Sequence, residues 1–324
     1  MKHLILFSTI GLLLSSSCGN NGSLSVSQID ALVEIAHFDH HFFAMDSTQL
    51  DQDLTLLKND FPAFFAIGQK DAQLRQRFYD LQIRDLYASV DSMYNSTELL
   101  DLKLSNAFQY FYHYFPTHDS LKVYTWISNF ENLEPVIVSG STLLIGLDMY
   151  LGPKSHFYKT APEYIRQKFD KRFIFSDVFH SYFANNIPML TSNSLLASMI
   201  HYGKIHYLSS LMLPDSKPEI IMGYPSVKMD WCLSNEANIW AYFIENQLLF
   251  SSQHQNKQRF IEPAPFSKFY TNFDSESPGR VGQWIGWRIV NSYMSAHPEV
   301  SLKELINEQD AQKILRKSRY KPKQ

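Results

Sequence analysis

The stretch MIHYGKIHYL, Met199–Leu208, holds two histidines in a run with helical periodicity. Zinc metallopeptidases place two histidines four residues apart on one helix, with a glutamate beside the first as general base. His201 and His206 lie five positions apart, so at about 3.6 residues per turn they diverge by roughly 140°. The two histidines therefore cannot share a metal ion from one regular helix.

Counting four residues back from His206 gives Tyr202 where a metallopeptidase has its first histidine, and Gly203 where it has the base. Downstream, the helical segment SNEANIWAYFIE supplies Glu236, where the glutamate-ligand class carries its third ligand. Two protein ligands without a base make a poor catalytic zinc site. The sequence therefore predicts no catalytic residue, no bound metal and no other cofactor.

The alternatives for these residues stay open. A half-buried Glu236 would need a partner. Arg280, Tyr202 and His206 are the candidates, and such contacts would make the site a structural polar cluster. His206 would then be a core residue, whereas a groove that binds a peptide without cleaving it is the functional reading.

The elements that must position these residues are mainly helices. Apolar residues recur three and four apart from about Ile29 to His118, and again from Pro153 onward. Between these regions KVYTWI alternates, and PVIVSGSTLLIGLDMYLG gives two β-rich runs around Ser139 and Gly140, which indicate a hairpin or small antiparallel sheet. We predict an α+β fold that is predominantly α-helical, with the sheet before the site helices.

Bulk composition agrees with a folded, helix-rich protein. Of 324 residues 45% are hydrophobic, and only 12 are glycine against 24 phenylalanines and 18 tyrosines, which favours helices packed through aromatic side chains. The formal net charge of −3 offers no general attraction for nucleic acid. Cys232, among bulky apolar neighbours, is expected to be a small buried core residue.

The first residues have the form of an export signal. Lys2 precedes the apolar run Leu4–Leu14, which is too short to span a bilayer. The run SSSC then ends at Cys18, and small residues before a cysteine are typical of a bacterial lipobox. We expect Cys18 to be diacylated and to anchor the chain to a membrane, with an ordinary cleaved signal as the alternative.

The expected organisation has four parts. Residues 1–18 form the lipoprotein signal, residues 19–28 a flexible tether, and residues 29–310 a single α-rich body, helical to about residue 118. Residues 311–324 form a basic tail, which ends in the sequence KILRKSRYKPKQ. A solvated, partly frayed tail is the simplest reading, and contact with anionic headgroups or an acidic partner is the functional one.

Four motifs together resemble the family of the gliding-motility lipoprotein GldB of the Bacteroidetes. They are LLIGLDMYLG, MIHYGKIHYLSSLMLP, NEANIWAYFIENQLLF and SPGRVGQWIGWRIVNSYM. The last, which carries Arg280 and Trp284, is the most specific. The resemblance implies a lipoprotein required for gliding motility and the associated type IX secretion machinery. It also implies a place in the cell envelope, anchored to the inner or outer membrane and facing the periplasm, with other proteins of that machinery as partners.

More distantly, the arrangement resembles a family of predicted zinc-dependent proteases, in which an HExxH helix precedes a glutamate-bearing helix and a glycine-rich aromatic helix. Carried over, that pattern puts Tyr202 at the first histidine, Gly203 at the glutamate, His206 at the second histidine and Glu236 at the third ligand. It implies a degenerate zincin-like body, of the gluzincin type, whose catalytic set is broken.

The resulting hypothesis is binding rather than catalysis. A groove between the helices bearing His206 and Glu236, closed by the aromatic run around Trp284 and Trp287, would hold a partner segment. One rival is an active zinc metallopeptidase in which Tyr202 or His201 replaces a ligand through a distorted helix. The other is a scaffold that uses an unrelated surface.

Overall fold

The computed structural model describes Val26, Ile29 and residues 32–271 and 274–322. The predicted export signal, Cys18 and most of the predicted tether lie outside the described residues. Within them the chain is mainly helical with one four-stranded sheet, so the predicted α+β class is confirmed. No helix in this part of the chain is both long and apolar enough to cross a bilayer.

The α-helices of the described residues are α1 (Phe38–Phe43), α2 (Leu50–Asp60), α3 (Pro62–Ala66), α4 (Asp71–Tyr79), α5 (Leu81–Met93), α6 (Glu98–Tyr114), α7 (Glu163–Arg166), α8 (Ile174–Asn186), α9 (Leu195–Met212), α10 (Pro218–Met222), α11 (Ser226–Ser234), α12 (Glu236–Glu245), α13 (His254–Phe260), α14 (Val281–Ala296), α15 (Leu302–Asn307) and α16 (Ala311–Ser318). The strands are β1 (Val33–His37), β2 (Leu121–Trp126), β3 (Val136–Ser139) and β4 (Thr142–Gly146).

The sheet corrects two predictions. Its order is β1-β2-β4-β3, and although β3 and β4 form the predicted hairpin, β2 runs parallel to both β1 and β4. An antiparallel sheet was therefore wrong for the pairings of β2. Strand β1 lies inside a segment predicted to be helical, and helix begins only at Phe38. The spacing of apolar residues in this segment could not reveal the strand, because its parallel partner β2 follows six helices later in the chain.

The sheet is covered on both faces. Alternating residues of β2 and β4 point in opposite directions, so Val123 and Leu143 join the core formed with α5, α6 and α8. Tyr124 and Leu144 join a second core, under α1 to α4. Both faces of the sheet are thus occupied by helices, and the sheet serves as a scaffold for the helical part that follows.

Helix α9 is the central element of that helical part. It begins after Ser194, whose hydroxyl accepts the Ala197 amide at 3.2 Å as an N-cap. Most of its residues are buried, which is typical of a helix surrounded by other elements. It contacts α6, α8, α10, α13, α14 and α16, so α9 positions most of the candidate site.

The C-terminal segment is not the expected solvated tail. Residues 311–318 form α16, which packs on α14. Ala311, Ile314 and Ser318 repeat three and four apart and are buried, while the basic residues take the outer face. The prediction was wrong here because the abundance of basic side chains hid an amphipathic pattern.

Candidate functional site

Helices α9 and α14 meet backbone to backbone at the position where a metallopeptidase would have its general base. A Cβ added to Gly203 would overlap the backbone of Gly286, and a Cβ on Gly286 would overlap the carbonyl oxygen of Met199. Gly203 therefore serves a close helix crossing. No side chain fits at this position while the two helices keep their present distance.

His206 is buried beside this crossing, at 1% exposure. Its Nε2 lies 3.1 Å from Oε1 of Gln283, whose own Nε2 donates to the Ile261 carbonyl at 2.7 Å. Because the Gln283 amide nitrogen is committed to that carbonyl, its oxygen faces the ring and accepts the proton of His206 Nε2. Nδ1 has no hydrogen-bond partner among the described residues.

His206 is held uncharged by its surroundings. Burial lowers the pKa of His206 to about 3. The hydrogen bond that His206 donates to Gln283 acts against this, and the nearby Arg280 and Lys168 cations lower the pKa further. A neutral imidazole whose Nε2 proton is already donated is a packing and hydrogen-bonding group.

A second histidine, His180 of α8, lies against His206 with ring centroids 5.0 Å apart. The Tyr202 ring stacks on the same His180 ring, with their centroids 6.4 Å apart. Burial lowers the pKa of His180 well below its usual range, and His206 adds to the effect. Residues 32–271 and 274–322 bring together no group of three His, Cys, Asp or Glu side chains able to hold a metal ion.

Glu236, the predicted third ligand, belongs to a different cluster. Its Oε1 accepts from Arg288 Nε and from the Tyr320 hydroxyl, both at 2.8 Å. Its partners are thus not the three candidates considered from the sequence. Gln283 and Arg288 lie five apart on α14, so the faces that contact His206 and Glu236 diverge by about 140°. Helix α14 therefore separates the two residues that were expected to face one groove.

The space expected for that groove is a packed core. Trp284 is 1% exposed and Trp287 is 7% exposed, and both belong to the apolar cluster between α9, α12, α13 and α14. The glycines of the crossing allow the helices to approach so closely that no cleft remains there. Cys232 lies in the same cluster, and burial raises the pKa of its thiol, so its predicted role as a small core residue is confirmed.

Arg280 lies at the start of α14, next to a small cavity. Its Nη2 donates to the Met222 carbonyl at 2.9 Å, and its guanidinium carbon lies 5.1 Å from the Tyr224 ring centroid. Lys168 lines the same cavity, of about 230 Å³. Arg280 is thus near the histidine pair, as the effect of its charge on both rings shows.

A larger opening lies at the other end of α9. We call it the basic-rimmed groove; its volume is about 730 Å³. Residues of α5, α6, α8 and the end of α9 line it, and its apolar lining includes Met93, Leu99, Leu100, Ala107, Ile174 and Met212. Its charged lining residues are Lys103, Lys171, Arg172, Asp215 and Lys217. No motif predicted this groove, because its residues come from distant segments of the chain.

The fold and site define a mainly helical α+β protein. Gly203 and His206, which align with residues of a zinc site, lie at the crossing of α9 and α14. The model of the family described as gliding motility protein GldB matches residues 20–322. The chain belongs to this family, as its four motifs predicted, and the family points to a lipoprotein of the cell envelope related to gliding motility. No curated protein and no solved structure matches the chain at the significance required of a relative.

Proposed function

We propose that this lipoprotein supports gliding motility without catalysis, by binding a segment of another envelope protein in the basic-rimmed groove. The family assignment supports the motility role. The groove itself is the observation that carries the binding role. Anchoring through lipidated Cys18 on the periplasmic side, and service to the secretion machinery, are parts of the same proposal.

The groove has the size and the lining of a docking site. Its volume of about 730 Å³ lies within the range of about 300–1,000 Å³ typical of ligand sites. At its edge Leu99 is 61% exposed and Met93 is 42% exposed. Large apolar side chains clustered at an opening favour contact with an apolar partner surface.

The rim indicates the charge of the partner. Four lining residues are cationic and only Asp215 is acidic. Arg172 pairs with Asp170, whereas Lys103, Lys171 and Lys217 form no salt bridge within the part of the chain that the structure describes. A segment with apolar residues flanked by Asp or Glu would fill the apolar lining and meet these ammonium groups.

Two features of the helix crossing support a role without catalysis. Gly203 cannot be exchanged for a glutamate base at the present helix distance, and the Nε2 proton of His206 is donated to Gln283. The rival, a zinc metallopeptidase with altered ligands, would need His206 to release Gln283 and gain a carboxylate partner. Glu236 is held instead by Arg288 and Tyr320.

The test uses cells whose own copy of the gene is deleted. A photo-crosslinking residue replaces Leu99, and a second strain carries the same residue with Lys103→Glu and Lys217→Glu. We expect a discrete crosslink to a segment that has an apolar run flanked by acidic residues, and loss of both the crosslink and colony spreading in the reversed variant. A control with Lys154→Glu and Lys159→Glu, two exposed lysines outside the groove, should keep both.

Wild-type crosslinking and spreading in the reversed variant would contradict the proposal. So would a crosslink to phospholipid alone, because the groove would then be a membrane contact. Folding of each variant is checked by its melting temperature, since charge reversal at exposed lysines should leave the core intact.

A further inference from the structure

The small cavity beside Arg280 combines positive charge with apolar walls. Its cationic residues are Arg280, Lys168 and Lys228. Its apolar walls include the rings of Tyr164, Phe169 and Tyr224 and several prolines, among them Pro225 and Pro263. It shares no lining residue with the basic-rimmed groove, so it is a separate site.

Arg280 is held in a strained backbone conformation that directs it to this cavity. Its φ of 63° is in the left-handed region, which costs a residue other than glycine about 1 kcal/mol or more. The conformation is held by Nη2, which donates to the Met222 carbonyl, and by the Tyr224 ring, whose hydroxyl donates to the Gly279 carbonyl at 2.5 Å. Among the described residues only Nη2 of the guanidinium forms protein hydrogen bonds, which leaves Nε and Nη1 for a ligand.

Lys168 adds a second charge that is only partly compensated. Its ammonium lies 3.6 Å from Oδ1 of Asp177, whose other oxygen accepts from the Tyr150 hydroxyl at 3.1 Å. Asp177 favours the charged form of Lys168, but burial and Arg280 together lower the pKa of that ammonium. Lys228 donates to the backbone carbonyls of residues 275–277 and is thereby occupied.

Two cationic groups, those of Arg280 and Lys168, therefore stand beside one carboxylate, that of Asp177. The neighbouring His180 and His206 are held neutral by burial, so they neither supply nor cancel charge. Excess positive charge in a partly buried, apolar setting is stabilised by a bound anion more strongly than it would be in water. The Nε–H and Nη1–H groups of Arg280 can each donate a charge-assisted hydrogen bond to an anionic oxygen, such as that of a carboxylate.

We propose that this cavity binds the free C-terminal carboxylate of a peptide whose last residue is apolar. The carboxylate would lie between Arg280 and Lys168, and the last side chain would pack against Tyr224 and the prolines. The volume of about 230 Å³ is below the range of about 300–1,000 Å³ for larger ligands, and it suits roughly one residue. Capture of a chain terminus in this way is an established mode of peptide recognition.

The test measures binding of labelled peptides by fluorescence anisotropy, with the full-length lipoprotein in nanodiscs. The probe is a short peptide that ends in phenylalanine with a free carboxylate, and its control is the same peptide as the C-terminal amide. We expect saturable binding of the acid and at least tenfold weaker binding of the amide. Arg280→Asn should weaken binding of the acid at least tenfold, because asparagine tolerates the left-handed conformation but lacks the guanidinium.

Two further variants keep the test decisive. Lys159→Asn removes an exposed cation outside the cavity and should bind as the wild type does. The pair Lys168→Met with Asp177→Asn removes the second cation without leaving a buried unpaired carboxylate, and it should weaken binding at least threefold even if Arg280→Asn fails to fold. Melting temperatures report folding throughout.

Equal affinity for acid and amide, or unchanged affinity in a folded Arg280→Asn variant, would overturn the proposal. Equal affinity for inorganic phosphate would also overturn it, since the site would then not read a peptide end. The groove variant Lys103→Glu with Lys217→Glu should keep full peptide affinity, which makes failure of this inference distinguishable from failure of the proposed function.

Discussion

Helix α9 contributes to two regions of opposite character. In its middle, around Gly203 and His206, α14 crosses in backbone contact and closes the surface. At its end, Met212 and Leu213 line the open basic-rimmed groove. The residues that align with a zinc-binding pattern are therefore in the closed region, and the open region has no such pattern.

The difference follows from side-chain size. Gly203 and Gly286 present no side chain at the crossing, so the two helices can approach until their backbones touch. At the groove, by contrast, the apolar side chains of Met93 on α5 and Leu99 on α6 remain exposed at the edge of an opening. A likeness of motif therefore does not indicate which part of a helix is free to bind.

The largest expected effect comes from opening the closed region with Gly286→Ala. The new methyl group would overlap the Met199 carbonyl, so α14 must move away from α9. The gain of about 1 kcal/mol in helix propensity is small beside this, and we expect unfolding to become easier by about 3 kcal/mol or more. Denaturant unfolding measures the change, with Ser295→Ala on the exposed face of α14 as a near-neutral control.

A Gly286→Ala protein as stable as the control would show that the two helices can separate without cost. The closed region would then be a mobile one, and the contrast with the groove would disappear.

A smaller but still large effect is expected from removing α16, which supports α14 from its other side. A chain that ends at Asp310 loses the buried Ala311 and Ile314, and the Tyr320 hydroxyl that donates to Glu236. We expect a loss of roughly 3 kcal/mol in the free energy of unfolding. A chain that ends at Tyr320 keeps all of α16 and the Tyr320 hydroxyl, and it should unfold as the full chain does. Equal stability of the two truncated chains would restore the prediction of a solvated tail.

The pH dependence of the free energy of unfolding tests whether the His206 ring is shielded from water and protons. The pKa of His206 is about 3 in the folded protein and about 6.5 in the unfolded chain. As pH falls through 6.5, the ring therefore takes up a proton in the unfolded chain but stays neutral in the folded protein. The stability it contributes is therefore complete above pH 6.5 and is lost as pH falls toward 3. Between pH 7 and pH 5 the loss is about 2 kcal/mol.

His206→Gln should keep a hydrogen bond to Gln283 and lose this part of the pH dependence, so its free energy of unfolding should change by about 2 kcal/mol less between pH 7 and pH 5. His180 remains in the variant and acts in the same direction. An unchanged slope would mean that the His206 ring is reached by water and protons.

The sequence could predict features that depend on local spacing. Periodicity identified the helices around α9 and α14, alternation identified the β3–β4 hairpin, and the motif around Arg280 and Trp284 indicated the family. Strand β1 was missed because its apolar spacing suits either a helix or a strand, and only its distant parallel partner β2 decides between them.

The candidate site shows the same limit. Tyr202, Gly203, His206 and Arg280 lie close to one another, as expected for residues of neighbouring helices. Glu236 is not part of that group. Which face of α14 it contacts depends on how α12 and α14 are rotated against each other, and residue spacing along α12 does not reveal this rotation. Gln283 lies in the motif that carries Arg280, but spacing within that motif does not show that it meets His206. Lys168, whose charge also acts on His206, comes from a segment without any motif.

The smallest expected effect is that of a chelator on the melting temperature. This measurement tests whether the closed region holds a metal ion. The His180 and His206 rings could offer two nitrogens, but a zinc ion between them would bring two positive charges beside Arg280 and Lys168 with no carboxylate to compensate. We expect the protein from Gly19 onward, purified without chelator, to contain zinc near background, and EDTA to leave its melting temperature unchanged. A resident zinc at about 100 times its Kd would add about 2.7 kcal/mol of stability, which melting would detect. About one zinc per chain, lost together with stability on adding EDTA, would mean that the closed region holds a metal. His206 and Glu236 would then have to be tested as ligands in a peptidase assay.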